Sequence, residues 1–196
     1  AAVICEILKD DGTMARLPDL VEFGQAHGLR IGAIRDLIEY RAANDNLVDK
    51  VAEKDVDTAH GRFRLTAFED KTSGDVHFAL SHGDIRPERE TLVRVHEPIS
   101  VLDFLDAGSG HHTFPVNQAL ATLAAAEAGV IVLLYRPMSG RELLVGLNGG
   151  HDRPTAKWDA RLFGVGAQIL RALHVGKMRL LASPRKIPSM TGFGLE

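Results

Sequence analysis

The spacing of apolar positions divides the chain into a short helical beginning, a β-rich middle and an alternating end. Val3 to Leu8 reads as a short apolar strand, and Asp10-Asp11-Gly12-Thr13 as a turn, because Asp and Gly accept bent backbone. A helix follows, with Pro18 in its first turn, Leu20 and Phe23 inside it, and Gly28 as its stop. Ile34, Leu37 and Ile38, three and four apart, predict a second helix over Ala33 to Tyr40. The polar run Arg41 to Asn46 fits neither the helical nor the strand period, and is expected to separate two modules. The larger module is expected to begin near Leu47.

In the middle, Phe63, Leu65 and Ala67 alternate with Arg62, Arg64 and Thr66 before Lys71-Thr72-Ser73-Gly74 and a second run, Val76 to Leu80. This is the pattern of a hairpin. Thr91 to His96 is strand-like and is expected to stop before Pro98, which has no N–H to give a central ladder. From Pro115 the period lengthens: Val116, Ala119, Leu120, Leu123 and Ala124 mark a helix reaching toward Ala128, with Gly129 as its expected stop. Val130 to Tyr135 is continuously apolar, as a fully buried strand should be. Beyond Asn148-Gly149-Gly150, a helix from Asp159 to Leu173 places Phe163, Ala167, Leu170 and Leu173 on one face, and Met178 to Leu181 supplies a last strand. The order predicts an α+β or α/β fold: a mixed sheet with packed helices, preceded by a short β-α-α piece.

Composition narrows the partners. Of 196 residues, 45% are apolar and 25% charged, enough for one or two compact domains. Lys and Arg number 23 against 26 Asp and Glu, a net charge of −3, which argues against nucleic acid as a partner. No apolar run approaches the roughly 20 residues that span a bilayer, and the first residues lack the basic region of a secretory signal, so no membrane partner and a cytoplasmic location are expected. The apolar start reads as a strand entered in mid-domain, and hence as part of a longer polypeptide. The chain holds one cysteine, Cys5, so no site needing two thiolates can be built within it.

Two stretches resemble known families. Val3-Ile4-Cys5-Glu6, Asp11-Gly12-Thr13-Met14-Ala15-Arg16-Leu17-Pro18-Asp19-Leu20 and Asp36-Leu37-Ile38-Glu39-Tyr40-Arg41 resemble the carboxyl end of 3,4-dihydroxy-2-butanone 4-phosphate synthase. Gly61-x-Phe63, Leu92-Val93-Arg94-Val95-His96, Leu133-Leu134-Tyr135 and above all Phe163-Gly164-Val165-Gly166-Ala167-Gln168-Ile169-Leu170 resemble GTP cyclohydrolase II. The resemblance implies a synthase remnant over residues 1–43 and a cyclohydrolase-like domain over 47–196 of a riboflavin-biosynthesis protein. It also implies the synthase domain itself as partner and a homodimer.

The cyclohydrolase family opens the imidazole ring of GTP with a zinc-bound water, releasing formate and pyrophosphate, and also uses magnesium. Three thiolates hold the zinc and leave a fourth position for the water, whose pKa the metal lowers. Laid on that pattern, Ile99, Gly110 and His112 occupy the cysteine positions, so the metal site is expected to be lost, with no cofactor retained. His96, His111 and His112 could offer imidazole ligands in place of thiolates, and Asp103 and Asp106 oxygen ligands, but Ile99 cannot ligate. The family's glutamate before the first cysteine is Pro98 here, its guanine-reading glutamine is Pro115, and its Arg-Gln-Glu-Gly-Arg loop is Pro137-Met138-Ser139-Gly140-Arg141.

Other family positions survive. Asp159 and Arg161 match its catalytic Asp-x-Arg, and Arg94, Gly140, Arg141 and Lys186 match ligand contacts toward phosphate. Glu6 matches a substrate-binding glutamate of the synthase, but the metal-binding acid and histidine of that family have no counterpart in this chain. The residues alone also allow Asp159 to act as a helix cap and Arg161 to lie on an exposed first turn. The expectation is an inactive cyclohydrolase-like domain with a structural or regulatory role toward the synthase. The alternatives are a divergent active GTP cyclohydrolase II, and a module that senses a nucleotide or flavin.

Overall fold

The computed structural model describes residues 3–99, 104–105, 114–135, 139–147, 160–182 and 193–196. Among them the chain divides into two compact units, Ala1–Tyr40 and Arg41–Glu196.

The first unit carries helix α1 (Leu17–His27) and most of α2 (Ile34–Asn44). At the start of α1, Pro18 sits in the first turn and the Asp19 carboxylate accepts the Arg16 N–H at 2.8 Å; Gly28, in left-handed backbone, ends the helix. The expected strand over Val3 to Leu8 does not form. A strand needs a neighbour for its N–H and C=O groups, and only Leu8 finds one, in an isolated antiparallel bridge to Met14. Residues 7–15 instead make a tight reversal, with Lys9 N–H donating to Thr13 O at 2.8 Å and Ala15 N–H to Ile7 O at 3.0 Å. Val3 and Ile4 are 95% and 97% exposed.

The second unit is built on one six-stranded sheet in the order β1-β2-β3-β5-β4-β6. Its strands are β1 (Val48–Thr58), β2 (Gly61–Asp70), β3 (Val76–Gly83), β4 (Glu90–Ile99), β5 (Ala128–Tyr135) and β6 (Lys177–Leu180). Strands β1, β2, β3 and β5 run antiparallel in turn, whereas β4 lies parallel to both β5 and β6. Helices α3 (Val116–Ala124), α4 (Gly140–Leu147) and α5 (Ala160–Ala172) connect the later strands. This is the mixed sheet with helices that the pattern predicts.

Both faces of the sheet are packed, which is why β5 is apolar without alternation. Phe63, Leu80, Leu92, Ile131 and Leu133 meet Val116, Ala119, Leu120 and Leu123 of α3 on one face. On the other, Phe68, Ala79, Val93, Val130, Val132 and Leu134 meet Leu162, Val165, Ile169 and Leu170 of α5, with Phe193 and Leu195 closing the layer. Each such side chain contributes about 1.5–3 kcal/mol by leaving water.

Several sequence expectations need correction. Strand β1 carries no apolar alternation, because it is an edge strand whose exposed charges pair locally: Asp55 with Arg62 and Arg64, Glu53 with Lys50. Strand β4 runs through Pro98 to Ile99. The pairing steps from His96↔Leu133 to Ile99↔Tyr135, so a bulge takes up the residue that cannot donate. Gly129 does not end α3 but lies in β5. A Cβ there would fall 2.7 Å from Leu123 Cδ2, so the missing side chain lets helix and strand approach closely. Helix α2 continues to Asn44, leaving Asp45 and Asn46 as the irregular connection.

Candidate functional site

Three parallel strands, β4, β5 and β6, bring their carboxyl ends to one edge of the sheet. Ile99 ends β4 opposite Tyr135, which ends β5, so the first expected thiolate position and the loop toward Ser139 leave the sheet side by side. Strand β6 is parallel to β4, so Leu181 and Ala182, which follow it, lie at the same edge. Since β5 and β6 run the same way, the connection through α5 must return across the sheet, which puts the first turn of α5, with Arg161, at that edge. In sheets of this kind, ligands commonly bind outside the carboxyl ends of parallel strands.

Arg94 stands in β4 on the face covered by α3. It is buried, and its Nη1 donates to the Leu181 carbonyl at 3.0 Å. The Leu181 N–H in turn donates to Val93 O at 2.7 Å, so this guanidinium helps to bind the end of β6 to β4. Gly140 and Arg141 open α4, where both are exposed. Arg161 is placed by its backbone in the first turn of α5. Asp159, Lys186, Gly110, His111, His112, Asp103 and Asp106 lie outside the described residues, as does the side chain of Ile99. Glu6 is exposed, in the first unit. Among the described residues no three His, Cys, Asp or Glu side chains are grouped so as to hold a metal ion. The one free thiol, Cys5, is exposed in the first unit.

Helix α4 was not legible from periodicity, but its start carries a clear signal. Ser139 precedes the helix and Glu142 stands three residues on, the spacing of a capping box. The Ser139 N–H and hydroxyl both donate to Glu142 Oε2 at 2.6 Å, and the Glu142 N–H donates to Ser139 Oγ at 3.3 Å. These hydrogen bonds from Ser139 hold the Glu142 carboxyl below its ordinary value of 4.5. The serine at the glutamate position of the family's loop therefore starts a helix, and its hydroxyl is engaged within it.

His77 is a second residue the pattern did not single out. It is buried in β3, and its Nδ1 accepts the Tyr135 N–H at 3.1 Å, at the end of β5. An accepting Nδ1 fixes the neutral tautomer, with the proton on Nε2. His96, three residues before Ile99, is also fully buried. Both imidazoles are thus enclosed in the framework below the edge.

Comparison with known proteins gives two family matches: GTP cyclohydrolase II over residues 49–196, and 3,4-dihydroxy-2-butanone 4-phosphate synthase over residues 1–40. A protein of Neisseria meningitidis named 3,4-dihydroxy-2-butanone 4-phosphate synthase is 45% identical across the whole chain, which covers 54% of that protein. The riboflavin biosynthesis protein RibBA of Aquifex aeolicus is 39% identical, with 52% of its length covered. Among solved structures, the chain is similar to RibBX of A. baumannii, a two-domain 3,4-dihydroxy-2-butanone 4-phosphate synthase. The TM-score is 0.58 at 36% identity, over 98% of this chain and 51% of that one. The chain thus spans about half the length of the relatives it matches.

Proposed function

Because this chain belongs to the GTP cyclohydrolase II family through residues 49–196, we propose that its larger unit is a cyclohydrolase fold without cyclohydrolase chemistry, serving a 3,4-dihydroxy-2-butanone 4-phosphate synthase in riboflavin biosynthesis. One observation carries the proposal. The chain's single cysteine is Cys5, so the stretch matched to the cyclohydrolase contains no thiol. Three thiolates are what would hold zinc and leave one position open for an activated water. Isoleucine and glycine have no donor to offer in their place, and a single imidazole, His112, cannot define the site.

The names of the relatives support this reading. The Neisseria protein and the two-domain RibBX both carry a region similar to this whole chain, and both are named for the synthase alone. The immediate surroundings of one matching position, Arg94, and one replaced position, Ser139, point the same way. Arg94 spends a donor on the Leu181 carbonyl, and the Ser139 hydroxyl spends its proton on Glu142. Arg141, Arg161 and Lys186 remain as cations able to hold a phosphate without turning it over.

The role for the larger unit is structural or regulatory, within a homodimer of the full-length protein. Deleting residues 49–196 from that protein tests it. The account expects lower synthase turnover or a lower melting temperature, and unchanged turnover and melting would overturn it. Calorimetric titration of the full-length protein with GTP and with flavin mononucleotide tests the retained phosphate site; heat from neither would remove it.

A further inference from the structure

Gln168 is a buried polar side chain on a helix face otherwise devoted to apolar packing, between Ala167 and Ile169. Its partners are far away in sequence. Oε1 accepts the Leu47 N–H at 2.7 Å, and Nε2 donates to the Asp45 carbonyl at 3.3 Å. A carbonyl and an N–H two residues apart are the pair that a residue of a neighbouring parallel strand would engage, so one side-chain amide holds this stretch at two backbone groups.

The same few residues are held on every side. The Leu47 carbonyl accepts Lys71 N–H at 2.9 Å, Asn46 Oδ1 accepts Val48 N–H at 3.3 Å, and Val48 is buried as β1 begins. On the other side, Asp45 N–H donates to Arg41 O at 2.7 Å, and the Asp45 carboxylate pairs with Arg41 Nε at 2.6 Å. Helix α2 ends at Asn44, so Asp45 to Leu47 is the connector that directly follows it. Burial makes the two amide bonds costly to break, since each freed group would lie away from water.

We propose that Gln168 is the clasp by which the cyclohydrolase-like unit holds the connector leaving α2, and through which that unit acts on the synthase. This rests on the supporting role proposed above for residues 49–196. The occupant of the clasp is the chain's own backbone at Asp45 and Leu47, and the readout is the synthase reaction of the full-length protein.

The test uses Gln168→Leu and Gln168→Glu in the full-length protein, with hydrogen exchange and synthase kinetics measured together. Leucine keeps the bulk and loses both hydrogen bonds, so exchange of the Leu47 amide should quicken about tenfold and synthase kcat should fall about fivefold. Glutamate keeps an acceptor for Leu47 N–H, so protection at that amide should persist and kcat should stay nearer wild type. A residue that merely filled the core would show the reverse order, tolerating leucine and suffering from a buried carboxylate. Should Gln168→Leu not fold, Gln168→Met carries the same arm. Unchanged Leu47 exchange in the leucine or methionine variant would overturn the clasp. Faster exchange with unchanged kcat would overturn its coupling role. Either result leaves the supporting role standing unless deletion of residues 49–196 also leaves the synthase unaffected.

Discussion

The sheet with its two covering helices and the edge where the parallel strands end have kept different parts of one ancestry. In the sheet, the matched motifs fall where packing needs them: Leu133 and Leu134 look to opposite faces of β5, and Gly166 of α5 faces Leu134 and Val95. At the edge, β4 ends in Ile99, the residue that the resemblance lays on the family's first cysteine position, and residues 49–196 contain no cysteine at all. The difference lies in how each property is distributed. Burial is shared by dozens of side chains, each replaceable by a near-isostere, while a catalytic metal depends on a few atoms at fixed distances. A fold can therefore outlast its chemistry, and the two need separate arguments.

The largest expected effect that sharpens this contrast lies in the framework. Phe68→Ala removes a fully buried ring between the sheet and α5, and should cost about 3–5 kcal/mol, read as a fall in the urea-unfolding midpoint. Next comes Asp70, buried at the β2–β3 turn. Burial raises its carboxyl pKa, but hydrogen bonds from the Thr72 N–H at 2.7 Å and from Ser73 Oγ at 3.1 Å outweigh that and leave it below the ordinary 3.8. A carboxyl lowered by folding stabilises the folded chain above its ordinary value, and loses that contribution as pH falls through the lowered one. Asp70→Asn should therefore lower stability at neutral pH and flatten the acid limb of the unfolding curve below about pH 4.

Smaller effects belong to the edge. Ser139→Ala removes the cap of α4, so the amides of its first turn should exchange about fivefold faster, and the Glu142 carboxyl should rise back toward 4.5 by NMR titration. Smallest of all, His111→Ala and His112→Ala should leave the zinc content of the full-length protein the same as in wild type, since the proposal assigns neither imidazole to a metal. A zinc loss in either variant would give the edge a metal chemistry that its sequence does not announce.

What could be read from the sequence followed the same division. Helix α3 was legible from its single strong period, the buried strand β5 from its unbroken apolar run, and the hairpin because Lys71 to Gly74 interrupts two alternating runs. Strand β1 was not, since an edge strand is specified by its partner and guarded by charge, so Lys50, Glu53, Lys54 and Asp55 masked it. Val3 to Leu8 failed in the opposite sense, having strand-like residues and no partner strand among those described. At the edge, the absence of cysteine was visible in the sequence, whereas the cap at Ser139 and the engagement of Arg94 by Leu181 needed the structure. Asn148 to Gly150, Asp159 and Lys186 fall outside the described residues.

The central claim, that the cyclohydrolase fold persists here without its reaction, is most directly tested by formate release. The full-length protein, supplied with zinc, magnesium and GTP, should release no formate above a protein-free control while converting ribulose 5-phosphate. Catalytic formate release together with one tightly bound zinc per chain would contradict the account.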